Sequence, residues 1–207
     1  MPRGHCGDES RHGDLPEKNE NWGWDRTFCN AGKSKHFWNF RQYMMGRHLH
    51  LSTRMSPCRD ASAKPIVFVA IRSTDDKFEG PGVSRWQAGA KGLATALGAG
   101  VTVKAEVMSD FPLKQQAEWM AMTTTLVQLS GGGSSTMIFL PRGSTTVLLA
   151  PRHTKDDYVL WAHTAWINIR WVEIKELNEP INVPLITKEV QVGLEHYNHF
   201  NECGDSA

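Results

Sequence analysis

The rhythm of apolar and polar positions changes several times along the chain. Residues 1–35 are polar, with only Leu15, Trp22, Trp24 and Phe28 as apolar anchors, and predict a disordered or loosely docked N-terminal arm. From His36 to Met45 the spacing becomes helical. Phe37, Phe40, Tyr43 and Met44 recur three and four apart and predict one apolar face. Residues 51–64 are polar again, broken by Pro57, and read as a linker. Then comes Ile66–Ile71, a continuous run of apolar, mostly β-branched residues. Such a run predicts a strand buried on both faces, as in a parallel sheet. A loop follows over 73–84, and a helix from Arg85 to Leu97 ends at Gly98 and Gly100.

The second half repeats the alternation. Val101–Val107 reads as a second strand. Ser109 and Asp110 are candidate caps for a helix from Leu113 to Met122, with Leu113, Ala117 and Met120 on one side. Thr125–Leu129 is a third strand, and Ser134–Phe139 a short helix stopped by Pro141. Thr145–Ala150 is a fourth strand. Tyr158–Trp166 reads as helical, and Ile169–Ile174 as a fifth strand or an edge. Residues 178–184 read as loop and Ile186–Tyr197 as a final helix. The succession of strand and helix predicts an α/β fold, a Rossmann-like parallel sheet with flanking helices. The expected organisation is an arm (1–35), a helix and linker (36–64), a Rossmann-like lobe (65–175) and a C-terminal extension (176–207).

Composition narrows the function classes. The formal net charge of +1 gives no global field to attract nucleic acid, so no nucleic-acid partner is expected. No apolar run approaches the ~18 residues of a membrane span. The N-terminal residues contain no apolar stretch of the secretory type, so no targeting signal is visible. Cys6, Cys29, Cys58 and Cys203 fit neither a zinc knuckle nor a Cys-x-x-Cys pair, and a Cys29–Cys58 disulfide is compatible with an oxidising compartment. The histidines are scattered, and no metal site is expected.

The chemistry concentrates where the third strand runs into Ser130, Gly131, Gly132, Gly133, Ser134 and Ser135. Glycine lets a backbone approach a ligand closely, and a helix starting there points N–H groups at an anion. In an open α/β sheet, ligands bind beyond the carboxyl ends of the strands. Candidate positions there are Arg72 after the first strand, Ser109 and Asp110 after the second, the glycine stretch after the third, and Arg152 with His153 after the fourth. Arg72 and Arg152 have the forked geometry to pair with phosphate oxygens. No Lys follows the glycines, as a P-loop requires, and they follow the third strand instead of the first, as a dinucleotide fold requires. No Gly-x-Ser-x-Gly elbow is present.

Taken in order, these motifs resemble family 61 glycosyltransferases. That family has a strand followed by Arg, then a helix opening with Phe and Gln. A second strand leads into His-Gly-Ala-Gly, then Phe-Leu-Pro and an apolar strand ending in Glu. Here stand Ile66–Ile71 and Arg72, Phe111 and Gln115-Gln116, Thr125–Leu129, Ser130–Gly133, Phe139–Pro141 and Thr145–Leu149. The spacing from the glycines to Phe-Leu-Pro matches without a gap. The helix over Phe37–Met45 is similar to a Phe-Arg-rich helix of the family. Ser130 replaces the family's His, and its Glu falls near Leu149.

The resemblance implies a GT-B donor-binding lobe in the Golgi or endoplasmic reticulum lumen, compatible with a membrane tether in a full-length form. It implies transfer of a sugar from a nucleotide-sugar to a glycan or glycoprotein hydroxyl, with no cofactor and no metal. The donor site would use Arg72, Gln116, Ser130, Gly131, Gly132, Gly133, Ser134, Ser135 and Arg152, with Arg72 nearest the diphosphate. Asp110 and His153 are the local candidates for a base. The alternative is a non-catalytic nucleotide- or glycan-binding module of the same fold, packing on a partner through Trp161, Trp166 and Trp171. A methyltransferase ranks last, because that class places its glycines after the first strand.

Overall fold

The structure is a computed structural model, and it describes residues 34–51, 64–71, 83–151, 164, 166–175 and 181–200. Its centre is a five-stranded parallel sheet. The strands are β1 (Ile66–Ile71), β2 (Thr102–Val107), β3 (Thr125–Leu129), β4 (Thr145–Pro151) and β5 (Asn168–Ile174), in the order β2-β1-β3-β4-β5. Every neighbouring pair is parallel. The helices are α1 (Ser34–Tyr43), which runs on into a π-helical turn (Met44–His48), α2 (Val83–Leu97), α3 (Leu113–Met122) and α4 (Val183–Phe200). A 3-10 helix, Gly132–Phe139, stands between β3 and β4.

Alternation of side chains along the strands sorts the core into two layers. On one face Val67, Val69 and Ile71 of β1, Val127 and Leu129 of β3, and Val147 and Leu149 of β4 meet Trp86 and Leu93 of α2 and Ile186 and Val190 of α4. On the other face Phe68 and Leu126 meet Met45, Leu49, Ala117, Met120, Met137 and Phe139. The central strands are therefore covered on both sides, which is why β1 carries an unbroken apolar run and β3 and β4 are mostly apolar. β2 lies at an edge. Its Lys104 and Glu106 stay exposed, and charges there discourage pairing with another chain.

Hydroxyls bind the amino ends of the central strands together. Ile66 N–H donates to Thr124 Oγ1 at 3.2 Å, and Ser144 Oγ donates to the Thr123 carbonyl at 2.9 Å. At the same end Gly193 lets α4 lie close on β4, where an added Cβ would stand 2.9 Å from Thr145 Cβ.

Several details depart from the sequence expectations. On α1, Phe40 is 51% and Tyr43 59% exposed. The buried side of this region is instead Arg41, Met45 and Leu49, with Phe37, Trp38 and Met44 partly covered. The aromatic spacing is regular, but the sheet supports only one side of the helix. Leu113 is 41% exposed at the first position of α3, whose buried residues are Ala117 and Met120. Ser109 and Asp110 do not cap that helix. They belong to a 3-10 turn, Met108–Asp110, and the N-cap is Pro112 in extended backbone with no side-chain bond.

Further corrections come late in the chain. Trp166 is buried in the turn before β5 and edges onto Trp38 at 5.2 Å between ring centroids, so it offers no surface to a partner. Of the helix expected over 158–166, residues 158–163 and 165, Trp161 among them, lie outside the described residues, and Thr164 and Trp166 are not helical. α4 starts at Val183, earlier than expected. Asn182 Oδ1 accepts the Leu185 N–H at 3.2 Å as an N-cap, and Pro184 is tolerated in the first turn because no intrahelical donor is needed there. α1 likewise starts inside the range assigned to the arm.

Candidate functional site

Strand order sets the location. The chain leaves β1 for β2 on one side and then crosses back to β3 on the other. Connections therefore diverge from between β1 and β3, and a doubly wound sheet leaves a ligand crevice at the carboxyl end of such a reversal. Ala70 of β1 lies opposite Gln128 of β3 in the register, one row from that end. The Ser130–Ser135 stretch follows β3 directly and so opens at the reversal point.

Local geometry then turns the backbone out of the sheet. Ser130 N–H still donates to the Leu149 carbonyl at 2.9 Å, extending the ladder by one bond. Gly131 breaks away with φ 137° and ψ −169°, a region essentially reserved for glycine. The 3-10 helix starts at the next residue. Its first turn closes with Ser134 N–H on the Gly131 carbonyl at 2.8 Å, and Thr136 Oγ1 donates to the Gly133 carbonyl at 3.0 Å. The N–H groups of Gly132 and Gly133 precede that bond, and helix geometry gives the first donors no partner inside the helix. A Cβ at Gly131 or Gly133 would meet nothing within 4 Å. Both glycines are exposed, so the turn can be approached closely from that side. Of the two following hydroxyl residues, Ser134 is buried and Ser135 is exposed.

The other sequence candidates distribute unevenly. Asp110 is exposed at the carboxyl end of β2, two strands away from the glycine turn. Gln116 is occupied: its Nε2 donates to the Phe111 carbonyl at 2.7 Å and ties down the loop between β2 and α3. Arg72, Arg152 and His153 lie outside the described residues; in sequence they follow the last residues of β1 and β4. Leu149 is a core residue on the α2/α4 face.

Two buried polar side chains fall outside the sequence motifs, Gln128 just before the turn and Arg41 at the far end of the 3-10 helix. Gln128 is 2% exposed, and its Nε2 has no hydrogen-bond partner. The available signal was a long polar side chain within an otherwise buried strand, which must either find a partner or cost stability. Arg41 is 1% exposed. Its Nη2 donates to the Phe139 carbonyl at 3.3 Å, its Nη1 to Gln42 Oε1 at 3.5 Å, and its guanidinium lies 5.2 Å from the centre of the Trp38 ring. Phe139 is the last residue of the 3-10 helix, so the cation sits at the negative end of that helix. Burial lowers the Arg41 pKa from its ordinary value to about 10.

Among the described residues there is no cluster of His, Cys, Asp and Glu able to hold a metal ion. None of their helices is long and apolar enough to cross a membrane. The chain matches no family model and none of the curated proteins compared with it.

Proposed function

We propose that this chain is the donor-binding lobe of a glycosyltransferase-like protein, holding a nucleotide-sugar by its diphosphate over the glycine turn. The observation that carries the reading is the glycine turn at the reversal of strand order, where Gly131 and Gly133 are exposed and a Cβ on either would meet nothing within 4 Å. N–H donors fixed at a helix start stabilise an anion without reorganising. The resemblance of Phe111–Ala150 to family 61 supplies the chemical class. In sugar transfer the leaving group is a nucleoside diphosphate, whose charge grows as the glycosidic bond breaks. The Gly132 and Gly133 N–H groups and the exposed Ser135 face that charge. Arg72 is the first cation assigned to it and Arg152 the second. Asp110 or His153 would accept the proton of the acceptor hydroxyl, and the acceptor itself would be a glycan or glycoprotein.

A second reading, a module that binds the nucleotide without turnover, is favoured by Leu149. The carboxylate expected at that strand end is replaced by a leucine committed to the core on the face away from α3. Calorimetry with a panel of nucleoside diphosphates and nucleotide-sugars, paired with an assay for released nucleoside diphosphate, tests both. Binding that is lost in Arg72→Ala, with turnover, supports the transferase. Binding without turnover supports the module. No binding by folded protein overturns both.

A further inference from the structure

We infer that Gln128 is a recognition residue of the carboxyl-edge site, donating from its side-chain amide to a ring carbonyl or ring nitrogen of a nucleobase. The inference rests on the nucleotide reading above and adds to it the part of the ligand that is read.

Gln128 is the penultimate residue of β3, on the sheet face that carries Leu126, Phe68, α3 and the 3-10 helix. Its neighbours across the register are Ala70 on β1 and Leu148 on β4, both apolar. The amide Nε2 is buried without a partner, so the folded chain without ligand carries a stripped donor in an apolar row. Ala70 beside it remains partly exposed, although Val69 and Ile71 are buried. The row is therefore unsealed on the β1 side, at the strand reversal where a ligand enters.

The surroundings select the kind of acceptor. Ala70, Leu126 and Leu148 offer a phosphate neither charge nor water, and stripping a phosphate of water there would be costly. An uncharged heteroaromatic ring suits the row better. Aromatic side chains stand on the same face. Phe68, one row below Ala70, packs on Trp119 with centroids 5.5 Å apart, and Phe111 edges onto Trp119 at 4.6 Å. The division of labour is then spatial: the glycine turn takes the diphosphate, and Gln128 takes the base.

The test uses the full chain and compares uridine, cytidine, adenosine and guanosine diphosphates with inorganic pyrophosphate. Gln128→Met keeps the side-chain length and deletes the donor. The expected result is a variant at least as thermally stable as the wild type. Its preferred nucleoside diphosphate binds about tenfold more weakly, the scale of one lost hydrogen bond, while its pyrophosphate affinity is unchanged. In the wild type, the side-chain amide resonances of Gln128 shift on adding that nucleotide and not on adding pyrophosphate, a readout that does not depend on the variant folding. Equal nucleotide affinity in both proteins, or an amide signal indifferent to nucleotide, overturns the role of Gln128 and leaves the diphosphate site standing. Equal weakening of nucleotide and pyrophosphate also overturns it, since the effect is then structural. No nucleotide binding by the wild type overturns the site and the inference together.

Discussion

Gly131 and Gly133 stand two positions apart, and only one of them is required by its own conformation. The φ of 137° at Gly131 suits no side chain, so Gly131→Ala is expected to lower stability by about 1–3 kcal/mol in urea denaturation. Gly133 has no positive φ, and an added methyl would meet nothing within 4 Å. Gly133→Ala should therefore leave stability within ~0.5 kcal/mol of the wild type. The same methyl adds bulk to exposed backbone that an anion must approach closely, so pyrophosphate binding, read by calorimetry, should weaken. Unchanged binding in Gly133→Ala would remove the glycine turn from the site. Arg41 carries a pH prediction. Its folded pKa, about 10, lies below that of an arginine in the unfolded chain, so the unfolded chain holds the proton to higher pH. Stability must then rise with pH between those values and be insensitive to Arg41 below them. The stability difference between wild type and Arg41→Met should be flat from about pH 5 to about pH 9, and should shift in favour of the wild type as pH passes the folded pKa. A slope near neutrality would mean that another titrating group is coupled to Arg41.

At the scale of elements, contact distance and capping decide what each helix contributes. α4 lies close on β4 because Gly193 has no side chain to hold it off Thr145. Gly193→Ala forces the helix or the strand to shift, at an expected cost of about 1–3 kcal/mol in chemical denaturation. A neutral result would show that the layer slides freely there. α1 demonstrates how periodicity can mislead. The spacing of Phe37, Phe40, Tyr43 and Met44 marks a helix correctly, yet the buried side is the one carrying Arg41 and Met45. An aromatic stripe is visible in the sequence, whereas the burial of the Arg41 guanidinium depends on the Phe139 carbonyl, far from it in the chain. The caps behave alike. Ser109 and Asp110 have suitable side chains, but the chain needs another turn before α3, and Pro112 takes the N-cap. Asn182 does cap α4, through a bond to Leu185.

For the whole molecule, the two helical layers are unequal in origin. One is built from α2, inside the sequence-defined lobe, and from α4, inside the segment read as a C-terminal extension. Ile186 and Val190 of α4 cover the face that holds Val127, Val147 and Leu149. Removing residues 176–207 would expose that apolar face to water, so the truncated chain is expected to lose cooperative unfolding and to bind a hydrophobic dye. Retention of a sharp transition would show that the sheet stands without its last helix. The same scale decides where a ligand can go. Glycines after a third strand mean little in a sheet of sequential order, but in the order β2-β1-β3-β4-β5 they open at the reversal.

The sequence by itself determined the type of almost every element. A β-branched run, a spacing of three and four, or a glycine pair depends on neighbours within a few residues. Those local preferences survived into the sheet, the helices and the glycine turn at Gly131–Gly133. Tertiary structure decided strand order, which side of α1 is buried, the commitment of Leu149 to the core and the isolation of the Gln128 amide. Each of these depends on partners brought together from distant parts of the chain. Whether a polar side chain is satisfied or stripped is a property of the assembled layers, and a single strand does not contain it.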